Sequence, residues 1–256
     1  MTEIHSTAVV DSKARIDEHV SIGPFAVIEG DVEIAAGTTI GSHVLVADGA
    51  RIGNECHIHK GAVVATMPQD LKFGGEPTTF EIGNNTTIRE FCTLNRGTKE
   101  SGTSKVGSNC LLMAYTHVAH DCVIGDNVIL ANGVQVAGHV TIEDYVIIGG
   151  MAGVHQFCRV GQHAMVGGLF RIVQDVPPYI LAMGEPLKYG GLNSIGLRRR
   201  GFQAETLRAL KQTYKLLFRS KLNVSQALQR IEAEVEPIPE VKNVINFIRQ
   251  AERGII

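Results

Sequence analysis

Two imidazoles and a carboxylate crowd into the stretch Thr116-His117-Val118-Ala119-His120-Asp121-Cys122. A histidine near its ordinary pKa can take a proton from an alcohol as that alcohol attacks an acyl carbon. A carboxylate beside it fixes the tautomer and stabilises the imidazolium, which gives His120 the part of general base and Asp121 that of its partner. Further along stand Gly138, His139, His155 and Gln156. Glycine lets an acyl group approach the main chain, so the Gly138 N–H is suited to donate to a tetrahedral oxyanion. Such chemistry needs no serine or cysteine nucleophile. It does need these residues, scattered from His117 to Gln156, to be brought onto one edge.

The element that does so is written in a period of six. Every sixth residue from Ile4 is aliphatic through Val64, the frame resumes at Ile82, Ile88 and Leu94, and it runs again from Val106 to Ile172. Of the 29 positions in this frame only Asp70, Glu76 and Glu100 are not Ile, Val or Leu. In the first block, from Val10 to Val64, two residues before each aliphatic site lies a small or modest side chain, such as Ala8, Ala14, Val20 and Ala26. A spacing of two puts both on one side of a short strand. A hexad with two inward residues and a polar or glycine-containing corner is the pattern of a parallel β-helix. It resembles the left-handed form, in which three strands, and so three hexads, make one coil; the handedness comes from that resemblance. Residues 1 to about 175 then make about nine coils at ~4.8 Å each, with stretches 65–81 and 95–105 thrown out as loops.

Composition fits a narrow interior with many corners, since tryptophan is absent and glycine numbers 28. Cys56, Cys92, Cys110, Cys122 and Cys158 all fall at the small inward site, so packing explains them and no disulfide or thiolate chemistry is assigned. A net charge of -2 carries no protein-wide field for nucleic acid or an anionic membrane. No basic and apolar leader follows Met1, and no run of about 18 apolar residues occurs. The reading is a cytoplasmic protein with no stable membrane insertion. After Ile172 the pattern changes, and from about Leu192 apolar residues recur at helical spacing: Leu207, Leu210, Tyr214, Leu217 and Phe218, then Leu228, Ile231 and Val235, then Val241, Val244, Ile245 and Ile248. The expected architecture is therefore a β-helix over 1–190 and an α-helical domain over 191–256, whose helices cap the last coil.

With three hexads to the coil, Gly138 stacks on His120 and Gln156 one level further, while His139 stacks on Asp121. His117, His120, Gly138, His139, His155 and Gln156 then share one surface strip about 10 Å long. In this frame Val118 and Cys122 point inward and the corner Ala119-His120-Asp121 outward.

Several segments carry a closer resemblance: Gln69-Asp70-Leu71-Lys72, Gly75-Glu76-Pro77-Thr78, His117 to Cys122, Ala137-Gly138-His139-Val140, Val154 to Cys158, Gln174 to Tyr179 and Arg199-Arg200-Gly201-Phe202. Over essentially its full length the chain resembles the UDP-N-acetylglucosamine O-acyltransferases, which open lipid A synthesis. The resemblance implies transfer of a 3-hydroxyacyl group from acyl carrier protein to the sugar 3-hydroxyl, with His120 as base and Gly138 at the oxyanion. It implies that Asp70 and Lys72 bind the sugar nucleotide. By the same token His117, His139, His155, Gln156 and Asn193 line the acceptor and acyl path, Arg199 and Arg200 meet the diphosphate, and Gly168 sets the acyl-chain ruler. Neither metal nor cofactor is implied, the carrier thioester being the donor, and members are homotrimers with sites between prisms. Pro186 and Ile195 depart from the family pattern, where histidine and glutamate are usual.

Other readings compete. Arg198-Arg199-Arg200 alone suits a solvated helix face, and Lys211, Lys215, Arg219 and Lys221 offer a basic face to an acidic carrier. An N-acyltransferase or a 3-amino sugar acceptor is the nearest alternative function. A zinc hydratase, suggested by the clustered histidines, and a noncatalytic scaffold are more distant.

Overall fold

A computed structural model describes residues 1–256. The chain winds as a left-handed parallel β-helix whose strands stack into sheets of eleven, nine and eight strands. The first sheet opens with Glu3–Ile4, the second with Val9–Val10 and the third with Arg15–Ile16. Each coil pairs in register with the next, as Ile4 does with Ile22 and Val10 with Ile28. The hexad explains the packing: Ile22, Ile28 and Ile34 are buried together with the small residues Val20, Ala26 and Val32. Where threonine takes the small site, its hydroxyl reaches a carbonyl, as Thr38 Oγ1 does at Gly53 O (2.8 Å), so no buried polar group is left unpaired there. All five cysteines are buried and free. Burial pushes their thiols up, to about 12 for Cys122 and about 11 for Cys92, which leaves them inert at neutral pH.

Corners require one residue in the left-handed region, and glycine is not the usual choice. Asp121, His139 and Phe157 hold φ of 59°, 60° and 65° at three successive corners of one edge, in keeping with the tolerance of Asp and His for that region. Glycine often stands instead where one coil approaches the next.

The two loops are shorter than the sequence suggested, because Val63–Thr66 and Thr79–Ile82 are strands, as are Thr93–Asn95 and Thr103–Val106. The excursions proper are 67–78 and 96–102. His57 pairs with Thr87 and Thr87 with Leu111, so these two coils advance by five and four hexads where the others up to Val166 advance by three. The insertions amount to whole hexads, which is why the frame survives both. Each leaves the end of the second sheet at the corner leading to the third, the same edge that carries His120 and Asp121.

At the far end, strand Ile180–Met183 turns back on Lys188–Leu192 in an antiparallel pair. Helices α1 (Ser194–Arg199), α2 (Ala204–Arg219), α3 (Val224–Glu234) and α4 (Pro239–Arg249) follow. Asn223 and Gln226 form a reciprocal cap on α3, and Pro239 starts α4. The helices lie on the last coils: Tyr189 stacks on Phe218 of α2, Arg159 on Phe247 of α4, and Asn243 of α4 donates to the Tyr179 hydroxyl. Ile255 bridges Asp175 beside the end of the third sheet. The first coil has no such cover, with Ile4 and Val9 exposed. No helix is long and apolar enough to cross a membrane.

Candidate active site

The repeat sets His120 and Gly138 against each other, as a separation of three hexads requires. His139 N donates to His120 O at 3.1 Å, and a Cβ built on Gly138 would lie 2.7 Å from His120 Cε1 and 2.8 Å from Nε2. Only glycine leaves room for the imidazole to lie over the next coil. The Gly138 N–H has no partner within the chain, whereas its carbonyl accepts from Phe157 N.

Asp121 stands outside the prism as expected but is not exposed there. It is buried, because the loop 96–102 folds over its corner and supplies the donors that water would otherwise provide. Thr98 N and Thr98 Oγ1 each donate at 2.8 Å, Ser101 Oγ donates as well, and His120 Nδ1 lies 2.8 Å from Oδ2. Burial by itself raises the Asp121 carboxyl, but these hydrogen bonds, from Ser101, His120 and Thr98, outweigh it and hold the pKa at about 2. An ionised carboxylate only accepts, so His120 carries its proton on Nδ1 and presents the Nε2 lone pair beside Gly138. Ala119, at the same corner, is buried too, and the His120 side chain keeps 15% of its surface.

The groove at His120 has a volume of about 540 Å³. Its walls include Gln69, His117, Ala137, Gly138 and His155, and it continues along the second sheet past Gly153 to Arg171. His117 is fixed by Thr93 Oγ1 at 2.8 Å, and burial holds its imidazole below the ordinary pKa. His139 faces the other side of the corner, edge-on to His120 and stacked on Phe157 at 4.6 Å, with Nε2 3.7 Å from both Asp121 and Glu100. His155 is exposed with Nδ1 near Gln156 O (3.1 Å), and Gln156 itself is exposed at the corner.

Asp70 and Lys72 lie in the loop 67–78, where Asp70 Oδ1 accepts from Lys72 N at 3.0 Å; their neighbour Gln69 reaches the groove. Glu76 ties the two loops together by accepting from Lys99 N (3.0 Å). The structure does not bring Asn193, Arg199, Arg200 or Gly168 into this chain's groove. Asn193 is buried as the cap of α1, donating to His163 O and accepting from Gly196 N. Arg200 lies over Tyr145 with Nη1 3.3 Å from His163 Nδ1, and Arg199 is exposed on α1. Gly168 sits on the edge between the first and second sheets, where a Cβ would meet Gly150 O at 3.0 Å.

His120, Asp121 and His139 offer ligand atoms within 4.8 Å of one another. The four acceptor directions of the carboxylate are already met by Thr98 N, Thr98 Oγ1, Ser101 Oγ and His120 Nδ1, a poor basis for a metal ligand. Sequence reasoning missed Thr98 and Ser101, along with Gln135, Gly153 and Arg171 on the groove. The break in the frame at Glu100, one coil before His120, was the available signal for the first two.

Residues 175–256 match the family model described as "Udp N-acetylglucosamine O-acyltransferase; Domain 2", and 13–48 and 103–138 match "Bacterial transferase hexapeptide (six repeats)". An acyl-[acyl-carrier-protein]–UDP-N-acetylglucosamine O-acyltransferase of Chlorobaculum parvum is 55% identical over 255 residues, covering 99% of this chain and 97% of the relative. The protein of that name from Thermodesulfovibrio yellowstonii is 45% identical over 256 residues, covering 100% and 99%. The solved UDP-N-acetylglucosamine acyltransferase of Bacteroides fragilis superposes with a TM-score of 0.98 at 46% identity, covering 99% of both chains. The Arabidopsis structure gives 0.81 at 35% identity, covering 98% of this chain and 99% of that one. Shared hexads alone would leave several acyltransferases open, but agreement through both the prism and the helices does not: the chain belongs to the UDP-N-acetylglucosamine O-acyltransferase family.

Proposed function

We propose that the chain transfers an (R)-3-hydroxyacyl group from acyl carrier protein to the 3-hydroxyl of UDP-N-acetylglucosamine, the first step of lipid A biosynthesis. The observation that carries the mechanism is the His120 Nδ1 to Asp121 contact of 2.8 Å beside the bare backbone of Gly138. Nε2 of His120 takes the hydroxyl proton as the sugar oxygen attacks the thioester carbon. The Gly138 N–H donates to the oxyanion that forms, and Asp121 stabilises the imidazolium. Collapse of the tetrahedral intermediate breaks the carbon–sulfur bond, and the His120 proton passes to the departing thiolate. Neither metal nor cofactor enters these steps.

Asp70 and Lys72 bind the sugar nucleotide at the mouth near Gln69, and His117, His139, His155 and Gln156 line the acceptor and acyl path. Asn193, Arg199, Arg200 and Gly168 act from a neighbouring prism in a homotrimer, with the arginines on the diphosphate and Gly168 at the end of the acyl chain. A column of exposed apolar side chains along one edge, Phe25, Phe91, Tyr115, Met151 and Leu169, supports such packing of prisms. The helical domain offers Lys211, Lys215, Arg219 and Lys221 to the acidic carrier, and the enzyme works in the cytoplasm.

The test is mass spectrometry of the product formed from UDP-N-acetylglucosamine or its 3-amino analogue with a panel of 3-hydroxyacyl carrier proteins. An O-acylated nucleotide sugar formed in preference to the amide is expected. Exclusive acylation of the amino analogue would overturn the oxygen acceptor.

A further inference from the structure

Of the 28 glycines, Gly153 alone has neither a left-handed φ nor any atom within 4 Å of where its Cβ would be. Gly138 is held to glycine by the His120 ring and Gly168 by Gly150 O, but nothing within the chain asks for glycine at 153. It is also in a strand, Gly153–Val154, where glycine weakens the sheet and commonly marks the close approach of a ligand.

Its position shows what approaches. In the second sheet His117, Gln135, Gly153 and Arg171 stand at the same register on successive coils, all on the His120 groove. Gly153 is thus a missing rung, two coils or ~10 Å beyond His117. Much of the polarity around the gap is engaged elsewhere, through Gly153 N, Gln135 Nε2 and Arg171 Nη2. Gly153 N donates to Phe170 O, and Ala152 O accepts from Gln135 N. The Gln135 amide turns back to the carbonyls of Tyr115 and Gly133, and Arg171 is paired with Glu185 at 2.8 Å. A floor at Gly153 with no side chain of its own and its main-chain hydrogen bonds already made suits hydrocarbon.

We infer that the open slot over Gly153 receives the hydrocarbon tail of the donor acyl group, and that Gly153, with Arg171 closing the next coil, determines which chain lengths are accepted. This rests on the acyl-transfer reading above and adds to it a specificity residue within the same chain as His120.

The experiment compares the full-length protein with Gly153→Leu and Gly153→Ala, using ten-carbon and sixteen-carbon 3-hydroxyacyl carrier proteins. Filling the slot with leucine lowers the long-to-short ratio of kcat/KM by about tenfold or more, in the range that a few methylenes in an apolar pocket command. The alanine variant, which meets no atom, melts no lower than the parent and shifts the ratio less. A ratio within about twofold of the parent in Gly153→Leu, with transfer still occurring, would overturn the slot and leave the acyl-transfer reading standing. An unmodified chain that transferred neither acyl group would overturn both.

Discussion

His120 and His163 stand at neighbouring positions of the hexad corner, one between the second and third sheets and the other, at the left-handed position that Asp121 also takes, between the third and first. Their neighbours give them opposite characters. His120 lies against an ionised carboxylate and faces an open groove. His163 is stacked between Tyr145 (4.6 Å) and Tyr179 (5.7 Å), meets Phe202 edge-on, and has only the Arg200 guanidinium for a polar side-chain partner. Burial, with the Arg200 charge adding to it, pushes the His163 pKa down to about 4. The place in the corner and the residues that cover it therefore decide together whether an imidazole can act as a base or only pack.

Exchanging the two environments piecemeal should break the contrast. The largest effect is expected from His120→Ala, which removes the base and lowers kcat by about 10³-fold or more, within the range for general-base catalysis. Circular dichroism and melting should stay near the parent, because the ring lies outside the core; near-normal turnover would remove His120 from the mechanism. Next comes Gly138→Ala, whose methyl must displace the His120 ring. A loss of about 10²-fold in kcat is expected, as for misplacing a base or blocking an oxyanion donor. If steady-state rates stay unchanged, the close approach has no catalytic use.

The smallest effect belongs to the packed corner and shows in stability. A histidine whose folded pKa is about 4, against about 6.5 unfolded, leaves the unfolded chain holding more protons between those values. Stability is therefore fully present above pH ~6.5 and falls as the pH drops toward 4, by at most about 3 kcal/mol. Urea unfolding from pH 4 to 7 measures this, and His163→Phe, which keeps the stack, should flatten the slope. Asp121 contributes in the other range: its folded pKa of about 2 makes its stabilisation complete above the unfolded value near 3.8 and lost only as the pH falls through 2. An equal slope in the parent and the phenylalanine variant would place the titrating group elsewhere.

The fold was legible because inward residues obey a strict period and the interior is built from little else. The same period correctly stacked Gly138 on His120, a contact between residues one coil apart. It placed Asp121 outside the prism but not under cover, since a period describes the prism and not what covers it. Thr98 and Ser101 sit in a loop that follows no period, and their hydroxyls reach Asp121 only after the chain has left the frame. The groove beyond His155 was missed for a related reason. Gly153 looks like one of many glycines in the sequence, and only the empty space above it, measured in three dimensions, separates it from those required by a corner or a close contact.

Coils of five and four hexads beside coils of three show that this scaffold accepts extra length at one corner without disturbing the coils that follow. The loop 96–102 lies outside the frame, so a change in its length alters the cover of the corner, whereas a one-residue slip in the pairing of a strand would turn the aliphatic column toward solvent. The covering of the catalytic corner can thus change in size while the imidazole and the glycine beneath it stay in alignment, which makes loop size an independent dial on the environment of a fixed catalytic pair.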